Sequence, residues 1–209
     1  MHDEFERGRE NLGPTAGDGF ARPPAGESGG AVARHVEIVG PHLRITGRLD
    51  LGSFHRVTDL VNRSSSVLFH LSDAKVLLND GQQSSLAVGD LWVSPAEITV
   101  IAETESSRDD RPRDVVIVTK TPRELAIVTK GHTLTGRVYT TPHATIEVFL
   151  ESPDPQYLPM TDLRVRSLIN QQIEAEYAFA LVNRRHIIAA SATHEAPPDP
   201  SPSLFDRLR

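Results

Sequence analysis

The sequence predicts a mainly β protein: two tandem copies of a small β-barrel with polar tails at either end. Three observations carry that prediction. First, Thr46-Gly47-Arg48 recurs as Thr135-Gly136-Arg137, an offset of 89 residues (135 − 46). The same offset sets Asp73 opposite Asp162, Val76 opposite Val165 and Ile98 opposite Ile187. Second, the apolar segments are short and alternate with period two, the pattern of a half-buried strand. Third, aromatic residues make up only 5% of the chain. The core therefore falls to Val, Ile and Leu, and the β-branched residues among them suit a pleated surface. The repeat is too long for a solenoid unit of roughly 20–50 residues. It fits a small barrel of five or six short strands in about 65 residues.

Bulk properties narrow the classes. The 209 residues carry a net charge of -6, which argues against bulk attraction to nucleic acid. A local basic patch is still compatible with that sum. There is no cysteine, so disulfides, thiolate catalysis and thiolate metal sites are ruled out. The first residues, MHDEFERGRENLG, lack the apolar centre of a secretory signal. No apolar run approaches the roughly 20 residues of a membrane helix. The expectation is a cytoplasmic protein that makes no use of a membrane.

Residues 1–32 read as a disordered tail, rich in Gly, Pro and Ala, with Phe5 and Phe20 as its sticky residues. The first copy spans 33–104. HVEIV alternates as a strand, and Gly40-Pro41 turns the chain. In LRITGRLDL, Leu43, Ile45, Gly47, Leu49 and Leu51 share one face. Gly47 thus faces inward, where a strand glycine marks a bulge, a bend or a close backbone approach. RVTDLVNRSSS fits a short helical turn or a strand end. VLFHLSDAKVLL reads as two short strands around a tight turn at Ser72-Asp73. NDGQQSS is a hairpin loop with Asp80-Gly81 at its tip. Leu86–Val93 and Ile98–Ile101 are the last strands, parted by Ser94-Pro95. A charged linker at 105–114 leads to the second copy, 115–192, in which LAIV, TLTGRVYTT, YLPMTDLRVRSL and EYAFALVNRRHIIAA repeat the plan. The tail, 193–209, is Pro-rich and ends in SLFDRLR. There Leu204, Phe205 and Leu208 have the helical spacing of a docking peptide.

Candidate sites are few. Arg48 and Arg137 lie on equivalent outward faces, where each could hold an anion or a carboxylate. Asp73 and Asp162 belong to separate copies in turn contexts, which a side chain capping its own turn explains without catalysis. Asn183, Arg184, Arg185 and His186 form the densest polar run of the second copy. They read as a surface turn that could be a basic lip for phosphate or RNA. The nine histidines are scattered without metal-ligand spacing. Phosphate-binding loops, dinucleotide fingerprints, nucleophile elbows and zinc-protease motifs are all missing. No catalytic residue, metal or cofactor is assigned.

The string Gly47-Arg48-Leu49, Arg56-Val57-Thr58-Asp59-Leu60-Val61-Asn62 and Phe69-His70-Leu71-Ser72-Asp73-Ala74-Lys75-Val76, with Val182-Asn183-Arg184-Arg185-His186-Ile187, resembles a small bacterial domain of unknown function. The second copy has Thr145 to Glu151 in place of the Arg-x-x-Asp-x-x-Asn segment, and the first copy has no Asn-Arg turn. The strand plan and that turn are also similar to Sm-like barrels, whose members often assemble as rings around RNA. The Gly of their Arg-Gly turn is missing here. These resemblances imply tandem Sm-like or SH3-like barrels and bring no activity with them. The function expected is a non-enzymatic interaction or scaffold module, binding a protein partner or itself. Binding of RNA or a phosphorylated ligand through the basic turn is the alternative, and an enzyme of unknown class a second.

Overall fold

The computed structural model describes residues 32–78, 84–105, 119–170 and 172–192. Both tails, most of the linker and the Asp80-Gly81 loop tip therefore lie outside the described residues, and with them the proposed docking peptide Leu204, Phe205, Leu208. The first copy opens with a hairpin of β1 (Ala33–Val39) and β2 (Leu43–Asp50), closed by Gly40 N–H donating to the Leu43 carbonyl at 2.9 Å. Ile45, Gly47 and Leu49 point inward along β2. The segment after it is a helix, α1 (Val57–Arg63), whose buried Val57, Leu60 and Val61 have the i, i+3, i+4 spacing of one helical face. β3 (Phe69–Leu78) and β4 (Ser85–Val93) follow, then a 3₁₀ turn at Pro95–Glu97 and β5 (Val100–Glu103).

The second copy runs β6 (Thr121–Thr129), β7 (His132–Thr140), α2 (Ile146–Glu151), β8 (Tyr157–Ser167), β9 (Glu174–Asn183), a 3₁₀ turn at Arg184–His186 and β10 (Ile187–Ala192). The 89-residue offset survives in the backbone: β2 and β7, α1 and α2, and the two 3₁₀ turns start at equivalent positions.

The expectation of separate barrels is corrected in one respect. The ten strands among the described residues form a single open antiparallel sheet in the order β10-β6-β7-β8-β9-β5-β1-β2-β3-β4. Each copy keeps its own order, fifth strand–first–second–third–fourth, but its outer strands do not meet to close it. The inner edge of the first copy, β5, pairs instead with β9 of the second, through Val100↔Val182 and Ile101↔Leu181. Two apolar cores result. The first is built from α1 and the strands of the first copy, yet includes Tyr157 and Leu181 from the second. The second core takes Val39, Val100 and Ala102 from the first copy. Alternation along β5 explains the sharing: Ile101 faces one core, Val100 and Ala102 the other.

Candidate functional site

The repeated Thr-Gly-Arg marks one bulge in each copy. Thr46 pairs with Lys75 and Arg48 with Ser72, so Gly47 faces two residues, Asp73 and Ala74. Thr135 pairs with Arg164 and Arg137 with Thr161, so Gly136 likewise faces Asp162 and Leu163. Asp73 and Asp162 take left-handed φ values of 53° and 50°, the conformation of the first residue in a G1-type bulge. A side chain on the glycine opposite is crowded out. A Cβ on Gly47 would sit 3.1 Å from the Ser72 carbonyl oxygen, and one on Gly136 3.0 Å from that of Thr161. The tight turn expected at Ser72-Asp73 is thus a bulge inside one continuous strand. Asp favours the left-handed region in both settings, so the sequence did not distinguish them.

Over the second bulge lies a groove of about 630 Å³, lined among others by Arg137, Asp162, Arg164, Glu176 and Tyr177. Its charges neutralise one another. Arg137 pairs with Asp162 at 3.2 Å and Glu124 at 3.5 Å, and Arg164 with Glu176 at 2.7 Å and Glu174 at 3.2 Å. Burial pushes the Tyr177 phenol above its ordinary pKa, so it stays neutral. Arg48 projects outward from the first bulge and is exposed.

The polar run Asn183–His186 sits at the junction of the copies. Asn183 is fully buried. Its Nδ2 donates to the Ile98 carbonyl at 2.9 Å and to that of Pro95 at 3.4 Å, while its Oδ1 accepts from Arg185 N–H at 3.1 Å. His186 Nε2 lies 2.6 Å from the Ala96 carbonyl oxygen. That oxygen can only accept, so Nε2 carries a proton and donates. Nδ1 is hydrogen-bonded to the Thr99 hydroxyl at 2.9 Å. Tyr157 completes the clasp: its hydroxyl donates to the Pro95 carbonyl at 2.8 Å, and its backbone N–H to Asn62 Oδ1 at 2.8 Å. Turn Pro95–Glu97 of the first copy is therefore held by three side chains of the second. Arg184 turns back into its own copy. It donates to the Phe149, Leu150 and Pro155 carbonyls at 2.8–2.9 Å, closing the C-terminal end of α2, and lies 5.2 Å from the centre of the Phe149 ring. Arg185 is the exposed cation of the run.

Sequence reasoning missed Asn62, Thr99 and Tyr157, which belong to this junction. The repeat register held one usable signal, since it places Asn183 on Ser94. Both begin their 3₁₀ turn by accepting a backbone N–H two residues on.

Among the described residues, β4 and β10 are the two edge strands of the sheet, without a further strand beside them. Among the described residues, no group of three or more His, Asp or Glu side chains could hold a metal ion. No helix among them is long and apolar enough to cross a membrane. Comparison with protein-family models, with curated proteins and with solved structures finds no match to the chain.

Proposed function

We propose that the chain is a non-enzymatic scaffold, a protein-interaction module that engages other polypeptides along its two open sheet edges. One observation carries this reading. The first copy already takes a strand of the second, β9 beside β5, and side chains of both copies lock the pair. Adding a strand to an open edge is a general mode of polypeptide recognition. The edges also lack the usual protection against it. β10, IIAASA, has no charge and no proline, and β4, SLAVGDLWV, has Asp90 alone. Natural edges left free are commonly blunted by such residues. On this reading each copy is a rolled, Sm-like or SH3-like unit that stays open so that its edges can be used. The ion-paired charges of the groove favour a structural role for Thr-Gly-Arg over an anion or substrate site.

A photoreactive phenylalanine analogue at Trp92 or at Ile188, with Arg166 as control, tests the proposal in the cells that make the chain. Polypeptide adducts from the two edge positions and not from Arg166 are expected. Edges that yield no polypeptide, or RNA instead, would overturn it. The latter result would return the reading to Arg185 and phosphate binding.

A further inference from the structure

We infer that the occupant of each open edge is a second copy of this chain, with β4 of one molecule pairing with β10 of the next as β9 pairs with β5 inside it. This rests on the edge-binding reading and names its partner.

The argument comes from the repeat register. The internal junction is made where five side chains cross into the other copy's core, and each has a counterpart 89 residues away. Tyr157 and Leu181, both buried in the first core, correspond to Leu68 and Trp92 (157 − 89 and 181 − 89), which are 49% and 59% exposed. Val39, Val100 and Ala102, buried in the second core, correspond to Val128, Ala189 and Ser191 (39, 100 and 102, each + 89). Val128 is 38% exposed, and Ala189 and Ser191 are exposed as well. Thr99 at the junction corresponds to Ile188 (99 + 89), which is 63% exposed. Large apolar side chains thus stand in water at the places where the internal junction buries them. They lie at the two opposite ends of the sheet, on or beside β4 and on or beside β10, as the two halves of one contact should.

The register of the external pair follows by the same arithmetic. Val182↔Val100 becomes Val93↔Ala189, and Leu181↔Ile101 becomes Trp92↔Ala190. The pairing is antiparallel and heterologous, because β4 and β10 are different surfaces, so chains add head to tail until the rotation closes a ring or a filament grows. The polar lock is not copied in full. Thr99 bonding His186 becomes Ile188 facing Glu97, so this contact relies on apolar burial and is the weaker of the two.

The purified full chain tests this by light-scattering mass across a dilution series. Wild type is expected above the monomer mass at high concentration and falling on dilution. Trp92→Arg removes the β4 side and Ala189→Arg the β10 side. Both replace exposed residues, and circular dichroism checks that each stays folded. If either unfolds, Leu68→Arg or Ser191→Arg takes its place. Each variant alone is expected to be monomeric. Their equimolar mixture is expected to form dimers and nothing larger, since only one intact pair of edges exists between them. A monomeric wild type overturns the inference. So does a single variant that still dimerises, which would mean that like edges pair, or a mixture that stays monomeric while wild type associates. A monomeric wild type whose edges capture a different polypeptide in cells would sink this inference and leave the scaffold reading standing.

Discussion

Replacing Asn183 by Ala should destabilise the protein far more than the matching change in the first copy, Ser94→Ala. Asn183 is fully buried and has two jobs. It caps the 3₁₀ turn through Arg185 N–H, and it supplies the side-chain donor to the buried Ile98 carbonyl at 2.9 Å. Loss of a cap costs roughly 1 kcal/mol. A buried carbonyl left without its donor costs about 1–3 kcal/mol more. The expected loss for Asn183→Ala is therefore about 2–4 kcal/mol. Asn183→Ser keeps the cap, as Ser94 does in the first copy, and should lose only the carbonyl part. Ser94→Ala, at a half-buried position with a single 3.3 Å bond to Ala96 N–H, should cost about 1 kcal/mol or less. Urea denaturation of the three variants gives the order directly, provided the m-values agree. If Asn183→Ala costs no more than Ser94→Ala, Asn183 is an ordinary turn cap. The claim that it locks the two copies together then fails.

Three further outcomes follow from particular side chains. His132 is buried, and desolvation, then Arg44 and His42, lower its pKa from 6.5 to about 4. Below its unfolded value the unfolded chain binds the proton and the folded one does not, so stability should fall as pH drops from about 6.5 to 4, by at most ~3 kcal/mol, and be flat above. His132→Leu, which installs the residue found at the equivalent Leu43, should remove that slope in a pH series of thermal melts; an unchanged slope would clear His132 of responsibility. Gly131→Ala should cost about 1–3 kcal/mol in denaturant titration, because its Cβ would fall 2.5 Å from the Pro41 carbonyl oxygen of the first copy; a neutral result would mean that the two hairpin tips are not in contact. Asp73→Val places a good strand former at an exposed strand position, yet should cost about 1–2 kcal/mol because of the left-handed φ, whereas a gain in stability would refute the bulge.

Much of the fold was legible because the duplication doubles the signal. A strand glycine alone is ambiguous, but Gly47 and Gly136 recurring at one fixed offset made the repeat register legible; that each faces an aspartate across a bulge follows only from the strand pairing. What stayed hidden was non-local or short. α1 has seven residues, too few for periodicity to separate it from a strand end. Nothing within 33–104 says whether β5 returns to β4 or reaches outward to β9. That choice depends on which apolar face is covered by residues some eighty positions further on. Asn183 misled for a chemical reason. A polar run reads as solvated surface, yet an amide that donates to two carbonyls and accepts from one N–H can be fully buried without being left unpaired. Arg184 is likewise not a simple surface cation, because its Nε and Nη1 bond three carbonyls of its own copy.

The two copies carry different hydrogen-bonding residues where they meet. Asn62, Tyr157, Asn183 and His186 make the hydrogen bonds of the junction, and their counterparts are Glu151, Leu68, Ser94 and Glu97. Covalent linkage explains why the polar set belongs inside. Two halves of one chain meet at an effective concentration of order millimolar, so the internal junction does not need polar bonds for affinity. It needs them for register. A one-residue slip of β9 along β5 would turn Leu181 and Val182 to the wrong cores and carry Asn183 away from the Ile98 carbonyl. The outer edges face the opposite demand. In the proposed pairing they would have to find a separate molecule, and exposed Leu68, Trp92, Val128 and Ile188 would supply burial for that encounter without a polar lock. A strong internal junction and a reversible external one are what this division of side chains is suited to produce.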